Sequence, residues 1–211
     1  ILIAKEGQVL FKKSYGYHTY DKKIKVKDSD VYDLASITKI GATIPALMKL
    51  VDENFISVDS TLGDYLNLEG SNKDNLIIKE VLTHQSRLAP WIPFYRQTLE
   101  QESNSKYMQL RDTLYSKYKN DIFSVNVADS LYLHFSFPDS IIQQVIDSEL
   151  LDKKEYIYSD LGYYLLKEII EKITNQEFDK YVDSNFYQRL GMENLCFLPK
   201  NNLSDSRIIP T

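Results

Sequence analysis

The chain has 211 residues, 43% hydrophobic and 26% charged, which is enough to bury a core without disulfide staples. Its net charge of −5, with lysines scattered among acids, excludes the basic footprint of a nucleic-acid binder. One cysteine, Cys196, excludes an internal disulfide and a Cys-rich metal site, and no apolar run approaches the roughly 18 residues that cross a bilayer.

In chain order, residues 1–4 and 8–17 read as two strands around a turn at Glu6-Gly7, because both are rich in β-branched and aromatic residues. The polar stretch 18–30 is a loop. From Ser36 the pattern turns helical, with Ile37, Ile40, Ile44, Leu47, Met48 and Val51 as one apolar stripe ending near Glu53-Asn54. Pro45 lies inside it and has no N–H for the carbonyl of Gly41, so a kink is expected there. "ISVDSTLGDYL" reads as an extended segment and turn, and "LIIKEVLTH" as a short amphipathic helix ending near His84. Residues 85–97, with Pro90 and Pro93, form an irregular loop. The polar, Lys- and Tyr-rich residues 98–155 read as short helices and loops, and about 62–155 as a helical subdomain. In "YSDLGYYLLKEIIEKIT", Leu161, Leu165, Ile169 and Ile173 recur at helical spacing behind Ser159 and Asp160. A last helix covers about 177–188, before the loop "RLGMENLCF".

Two constellations carry candidate chemistry. Ser36 and Lys39 are neighbours on a helix at i and i+3, and Ser36 would lie among the unpaired N–H groups of the helix start. That setting suits a serine nucleophile with a lysine base. At an unperturbed pKa of about 10.4, however, neutralising a lysine at pH 7 costs roughly 4.6 kcal/mol. The site would have to lower that cost by burial or a second cation. A helix cap is the alternative role for Ser36. Ser-x-x-Lys also occurs at Ser103/Lys106 and Ser116/Lys119, in polar sequence without an apolar stripe, where solvated surface is the better reading. The second constellation is "YIYSDLGYYLL". Tyr158 either relays a proton between Lys39, Ser36 and a leaving group or packs as an aromatic plug while Ser159 or Asp160 caps the helix. Tyr-x-Asn/Asp recurs at Tyr65/Asn67, Tyr118/Asn120 and Tyr181/Asp183, so the pattern alone is permissive.

The ordered combination is more specific: Ser36-Ile37-Thr38-Lys39 opening a long helix, then "VLTHQSRL", then Tyr158-Ser159-Asp160-Leu161-Gly162 opening another, then "FYQRLGM". It resembles the serine β-lactamase and penicillin-binding-protein superfamily, on the side of the class C enzymes and their esterase relatives. "YKNDIFSVNVADSLYL" and "KKEYIYSDLGYYLLKEII" are similar to the β-lactamase-like module fused behind a family-3 glycoside hydrolase domain in large bacterial envelope proteins.

The resemblance implies an α+β fold, an antiparallel sheet flanked by helices plus a helical subdomain, here truncated and helix-dominated. It implies Ser36 as nucleophile, Lys39 as base, Tyr158 as proton relay and Asp160 facing substrate. No cofactor and no metal are implied. The implied partners are a small-molecule or cell-wall peptide substrate, with a glycoside hydrolase domain in the same full-length chain, at the periplasm or cell envelope. Two departures stand out. Asp160 occupies a position where the family commonly has Asn, and an ionised carboxylate accepts hydrogen bonds but donates none. This puts β-lactam hydrolysis in doubt and leaves ester or peptide substrates open. The family's third motif, Lys-Thr/Ser-Gly or His-x-Gly, does not occur, because His18, His84 and His134 are each followed by other residues. The chain is therefore expected to be a partial domain with little turnover of its own. A non-catalytic accessory module that binds cell-wall material is the alternative, and Asp160 favours it. Of the other candidates, His84 reads as a helix-end cap, Trp91 as a cleft-lining residue or a loop anchor, and Cys196 as inert.

Overall fold

The computed structural model describes residues 1–101, 107–201 and 203–210. The elements make an α+β fold of antiparallel sheets and helices, in which helical residues outnumber strand residues. By internal contacts the chain divides into two compact units, residues 1–46 with 176–211, and residues 47–175.

In the first unit, β1 (Leu2–Lys5) and β2 (Gln8–Lys12) pair antiparallel around the expected turn. Glu6 and Gly7 there take φ values of 51° and 76°, left-handed conformations that let two residues reverse the chain. Behind the hairpin, the side chains of His18 and Asp30 form a buried pair, Nε2 to Oδ2 at 2.8 Å. The amide of Lys27 also donates to Asp30, and chiefly for that reason its carboxyl is held below the usual range.

The helix after Ser36 is not uniform. Lys39–Thr43 form a π-helical turn, which hands over to α1 (Ile44–Asp52) through the Ile44 N–H bonded to the Lys39 carbonyl. The extra residue in the turn rotates the faces relative to the expected stripe. Leu47 is buried as read, but Ile37, Ile40 and Met48 are exposed, and Ala42, Ala46 and Leu50 are buried instead. Pro45 still lacks its donor, and the hydroxyl of Tyr187 takes its place on the Gly41 carbonyl at 3.0 Å. Tyr187 comes from the turn following α5 (Phe178–Val182), within the expected last helix.

In the second unit, α2 (Ile78–Leu82) packs on α4 (Leu161–Thr174), where the stripe Leu161, Leu165 and Ile169 is fully buried as its spacing predicts. Gly162 permits that approach: a Cβ there would lie 2.4 Å from a Val81 methyl and 3.0 Å from Leu88. The stretch 98–155 differs from its reading as short helices and loops. It carries an antiparallel pair, β3 (Leu99–Gln101) with β4 (Met108–Leu110), and a three-stranded sheet of β5 (Tyr115–Ser116), β7 (Leu131–His134) and β6 (Phe123–Ala128) in that order. Among the described residues after Thr98, which ends a 3-10 turn, the helical element of this stretch is α3 (Phe137–Asp147). The strands are short, and β6 is interrupted by register shifts at Phe123/Val125 and Asn126/Ala128. Bulges of this kind break the period-two alternation by which a strand is recognised.

Candidate active site

Ser36 sits immediately before the helical turn, and the residue ahead of it is strained. Ala35 has φ 43°, the left-handed region that a Cβ disfavours. Its amide donates to the Asp33 carboxylate at 2.7 Å, a local turn that holds the conformation in place. Beyond it the N–H groups of Ile37, Thr38 and Lys39 fold back onto the carbonyls of Leu34, Ala35 and Ser36. Lys39 Nζ reaches Ser36 Oγ at 3.0 Å. Among the described residues, Ser36 Oγ accepts no backbone N–H, so it does not cap the helix, and the Ser36 amide donates to no protein acceptor. Ser36 is exposed and Lys39 half-buried. A hydroxyl against an amine, beside an unoccupied backbone N–H, can deliver an alkoxide and receive an oxyanion.

The other Ser-x-x-Lys pairs lack this arrangement. Ser116 ends a strand, donates its hydroxyl to the Tyr118 carbonyl and accepts the Tyr118 amide. Ser103 and Lys106 lie outside the described residues. Of the other tyrosine pairs, Tyr65 has its hydroxyl accepting the Ser57 amide.

Tyr158 lies in the second unit, just ahead of α4, with 43% of its surface exposed. Its segment is stitched to residues 84–90. Ile157 N–H donates to the His84 carbonyl at 2.9 Å, Ser159 N–H to His84 Nδ1 at 3.2 Å, and Asp160 N–H to the Pro90 carbonyl at 2.9 Å. The buried Ser159 gives its hydroxyl to the Ala89 carbonyl at 2.7 Å and accepts the Leu161 amide at 3.2 Å. Ser159 therefore makes the capping bond at the start of α4. Asp160 makes none with its side chain, although it is the residue adjoining the helix. Arg87 and Leu151 exchange two further bonds, Arg87 Nε to the Leu151 carbonyl at 2.5 Å and Leu151 N–H to the Arg87 carbonyl at 2.8 Å. His84 does not simply close its own helix, as its position suggested. Its ring accepts the Ser159 amide and lies 4.5 Å from the Tyr158 ring, centroid to centroid.

Trp91, in the same loop, is exposed. A cavity of about 360 Å³ in the first unit is lined by Leu34, Thr38, Tyr187 and Cys196 among others, but not by Ser36 or Lys39. Burial, with Asp183 nearby, pushes the Cys196 thiol up, which disfavours its thiolate form. Among the described residues no group of three or more His, Cys, Asp or Glu is placed to hold a metal ion, and no helix is long and apolar enough to cross a membrane.

The fold matches solved structures along most of its length. The octameric penicillin-binding protein homologue from Pyrococcus abyssi superposes with a TM-score of 0.68 at 22% identity, covering 99% of this chain and 42% of that one. FmtA from Staphylococcus aureus gives 0.63 at 20% identity, covering 90% and 44%. The fold is thus that of the serine β-lactamase and penicillin-binding-protein class. Residues 1–203 match the family model described as Beta-lactamase, and the chain belongs to that family. Among curated relatives, a putative D-alanyl-D-alanine carboxypeptidase of Salmonella gallinarum is 30% identical over 216 residues, 94% of this chain and 43% of the relative. Protein flp of Staphylococcus aureus (strain MRSA252) is 27% identical over 211 residues, 97% and 35%. An N-acetylmuramyl-L-alanine amidase of Bacillus subtilis is 26% identical, covering 94% and 42%. The chain spans well under half the length of each.

Proposed function

We propose that this chain carries the nucleophile, base and proton relay of a serine hydrolase that works through an acyl-enzyme on an ester, peptide or amide of the cell wall. The observation that supports this reading is the 3.0 Å contact of Lys39 Nζ with Ser36 Oγ beside an unoccupied Ser36 N–H. Neutral Lys39 takes the hydroxyl proton as Oγ attacks the carbonyl carbon, and the Ser36 N–H donates to the resulting oxyanion. Collapse expels the leaving amine or alcohol, which receives its proton by way of Tyr158. Water then hydrolyses the acyl-Ser36 ester and restores the hydroxyl. Asp160 offers an acceptor to a substrate N–H, which suits a peptide or amide. The carboxypeptidase and amidase names of two relatives point to the same bond class. A cell-envelope location, and a glycoside hydrolase domain in the same full-length chain, go with this reading.

The test is covalent. The full-length protein is incubated with a fluorophosphonate or a labelled penicillin, and the adduct is mapped by mass spectrometry. Label on Ser36, lost in Ser36→Ala, is the expected result; an unlabelled Ser36 in folded protein would sink the nucleophile assignment. Asp160 favours one competing reading, an accessory module that holds cell-wall glycan or peptide without cleaving it. That reading predicts retained binding and no effect of Lys39→Ala on any hydrolysis.

A further inference from the structure

We infer that His84 is the positioning residue for Tyr158, acting through a latch between its Nδ1 and the Ser159 N–H. The inference rests on the proton-relay role proposed for Tyr158.

Three observations converge on the latch. The first is the backbone at His84, which is left-handed with φ 58°. This conformation is uncommon for a residue bearing a Cβ, though histidine is among those enriched there. It turns the chain out of α2 and brings the imidazole up to the start of α4, where α2 and α4 already touch across Gly162. The second is the pair of bonds that bracket Tyr158. The His84 carbonyl holds the amide of Ile157, and His84 Nδ1 holds the amide of Ser159. One residue thus fixes the peptide on both sides of the tyrosine. The third is the ring itself. It lies 4.5 Å from the Tyr158 ring at a tilt of 41°, and 5.5 Å and 5.9 Å from those of Tyr163 and Tyr156. Tyr163 is in turn tied down, its hydroxyl donating to the Leu82 carbonyl at 3.1 Å.

Tyr158 is 43% exposed, and the backbone on either side of it is held by His84. A proton relay needs the tyrosine hydroxyl held to a fraction of an ångström. His84 supplies the restraint from behind. Because Nδ1 accepts a hydrogen bond, the neutral ring carries its proton on Nε2. His84 touches the relay but takes no proton in the reaction.

The experiment measures the limiting rate of Ser36 acylation and the half-saturating reagent concentration in the full-length protein. The variants are Tyr158→Phe, His84→Ala, His84→Asn and the double variant His84→Ala/Tyr158→Phe, with thermal melts alongside. Asn places Oδ1 where His places Nδ1 and tolerates the left-handed backbone. The expected result is a rate roughly tenfold to a hundredfold lower in His84→Ala, from misplacement of about an ångström, at nearly unchanged half-saturation. His84→Asn should recover most of that loss. The double variant should acylate no more slowly than Tyr158→Phe alone, because His84 acts through the tyrosine. A wild-type rate in His84→Ala against a slow Tyr158→Phe would overturn the inference and leave the relay standing. So would losses that multiply in the double variant, or a His84→Asn no faster than His84→Ala. A Tyr158→Phe variant as fast as wild type would overturn the relay itself, and the latch with it.

Discussion

Pro45 deprives the Gly41 carbonyl of its helical donor, and the phenol of Tyr187 restores one. Tyr187 is buried, and burial, with Asp183 nearby, pushes its hydroxyl up, so it stays a donor throughout the ordinary pH range. Removing only the oxygen tests the account. Tyr187→Phe keeps the packing and leaves a carbonyl without a partner, so the variant should lose about 1–2 kcal/mol, read from urea denaturation. A loss near zero would mean that water or a shifted turn serves Gly41 equally well. The missing bond at Pro45 was legible from the sequence. The residue that replaces it was not, because no local pattern links position 41 to position 187. The same holds for the site. Ser36 and Lys39 stand out by spacing, whereas the strained Ala35 and its Asp33 support do not, since left-handed alanines have no sequence mark.

Elements with long, single-phase patterns were legible, and α4 is the clearest, its stripe meeting α2 as the spacing requires. The strands within 98–134 were not, being two to six residues long with register shifts at their pairings. Nor did the sequence mark Lys73 as an internal residue, since lysine is seldom buried. Its exposure is 0%, and its ammonium donates to Asn72 Oδ1 at 2.6 Å, to the Ile146 carbonyl at 3.4 Å and to the Ser148 carbonyl. It thus ties residues 71–73 to the C-terminal end of α3, where a cation also meets the negative end of the helix dipole. Lys73→Met fills the space but leaves those carbonyls without the donor, and should cost about 1–3 kcal/mol. Burial lowers the Lys73 pKa below 10.5, against the opposing pull of Glu149 and Asp147. Between that lowered value and 10.5 the unfolded chain binds the proton more than the folded one does, so stability rises with pH. The stability difference between wild type and Lys73→Met should therefore widen as pH climbs toward 10.5 and level off above it. A difference flat from pH 7 to 11 would show that the folded and unfolded pKa values coincide.

Across the whole molecule, protection from water is unevenly shared. In the 47–175 unit, Leu62, Ile78, Val145 and the inner face of α4 are all fully buried. At the other extreme, every residue of β1 and β2 is exposed, including Leu2, Ile3, Val9, Leu10 and Phe11. A two-stranded hairpin is marginal by itself in water, and its hydrogen bonds open without breaking any core contact. Amide exchange followed by mass spectrometry should separate the two regimes. Peptides covering 1–13 should exchange within seconds, as frayed segments do, while those covering 161–174 should exchange only with unfolding of their unit. The apolar side chains on the hairpin make the converse outcome informative. If the hairpin amides were protected as long as those of α4, the face bearing Leu2, Val9 and Leu10 would be covered in solution. Dilution would then identify the cover: protection lost with falling protein concentration would mean a second copy of the chain, and protection independent of concentration would mean the chain's own residues.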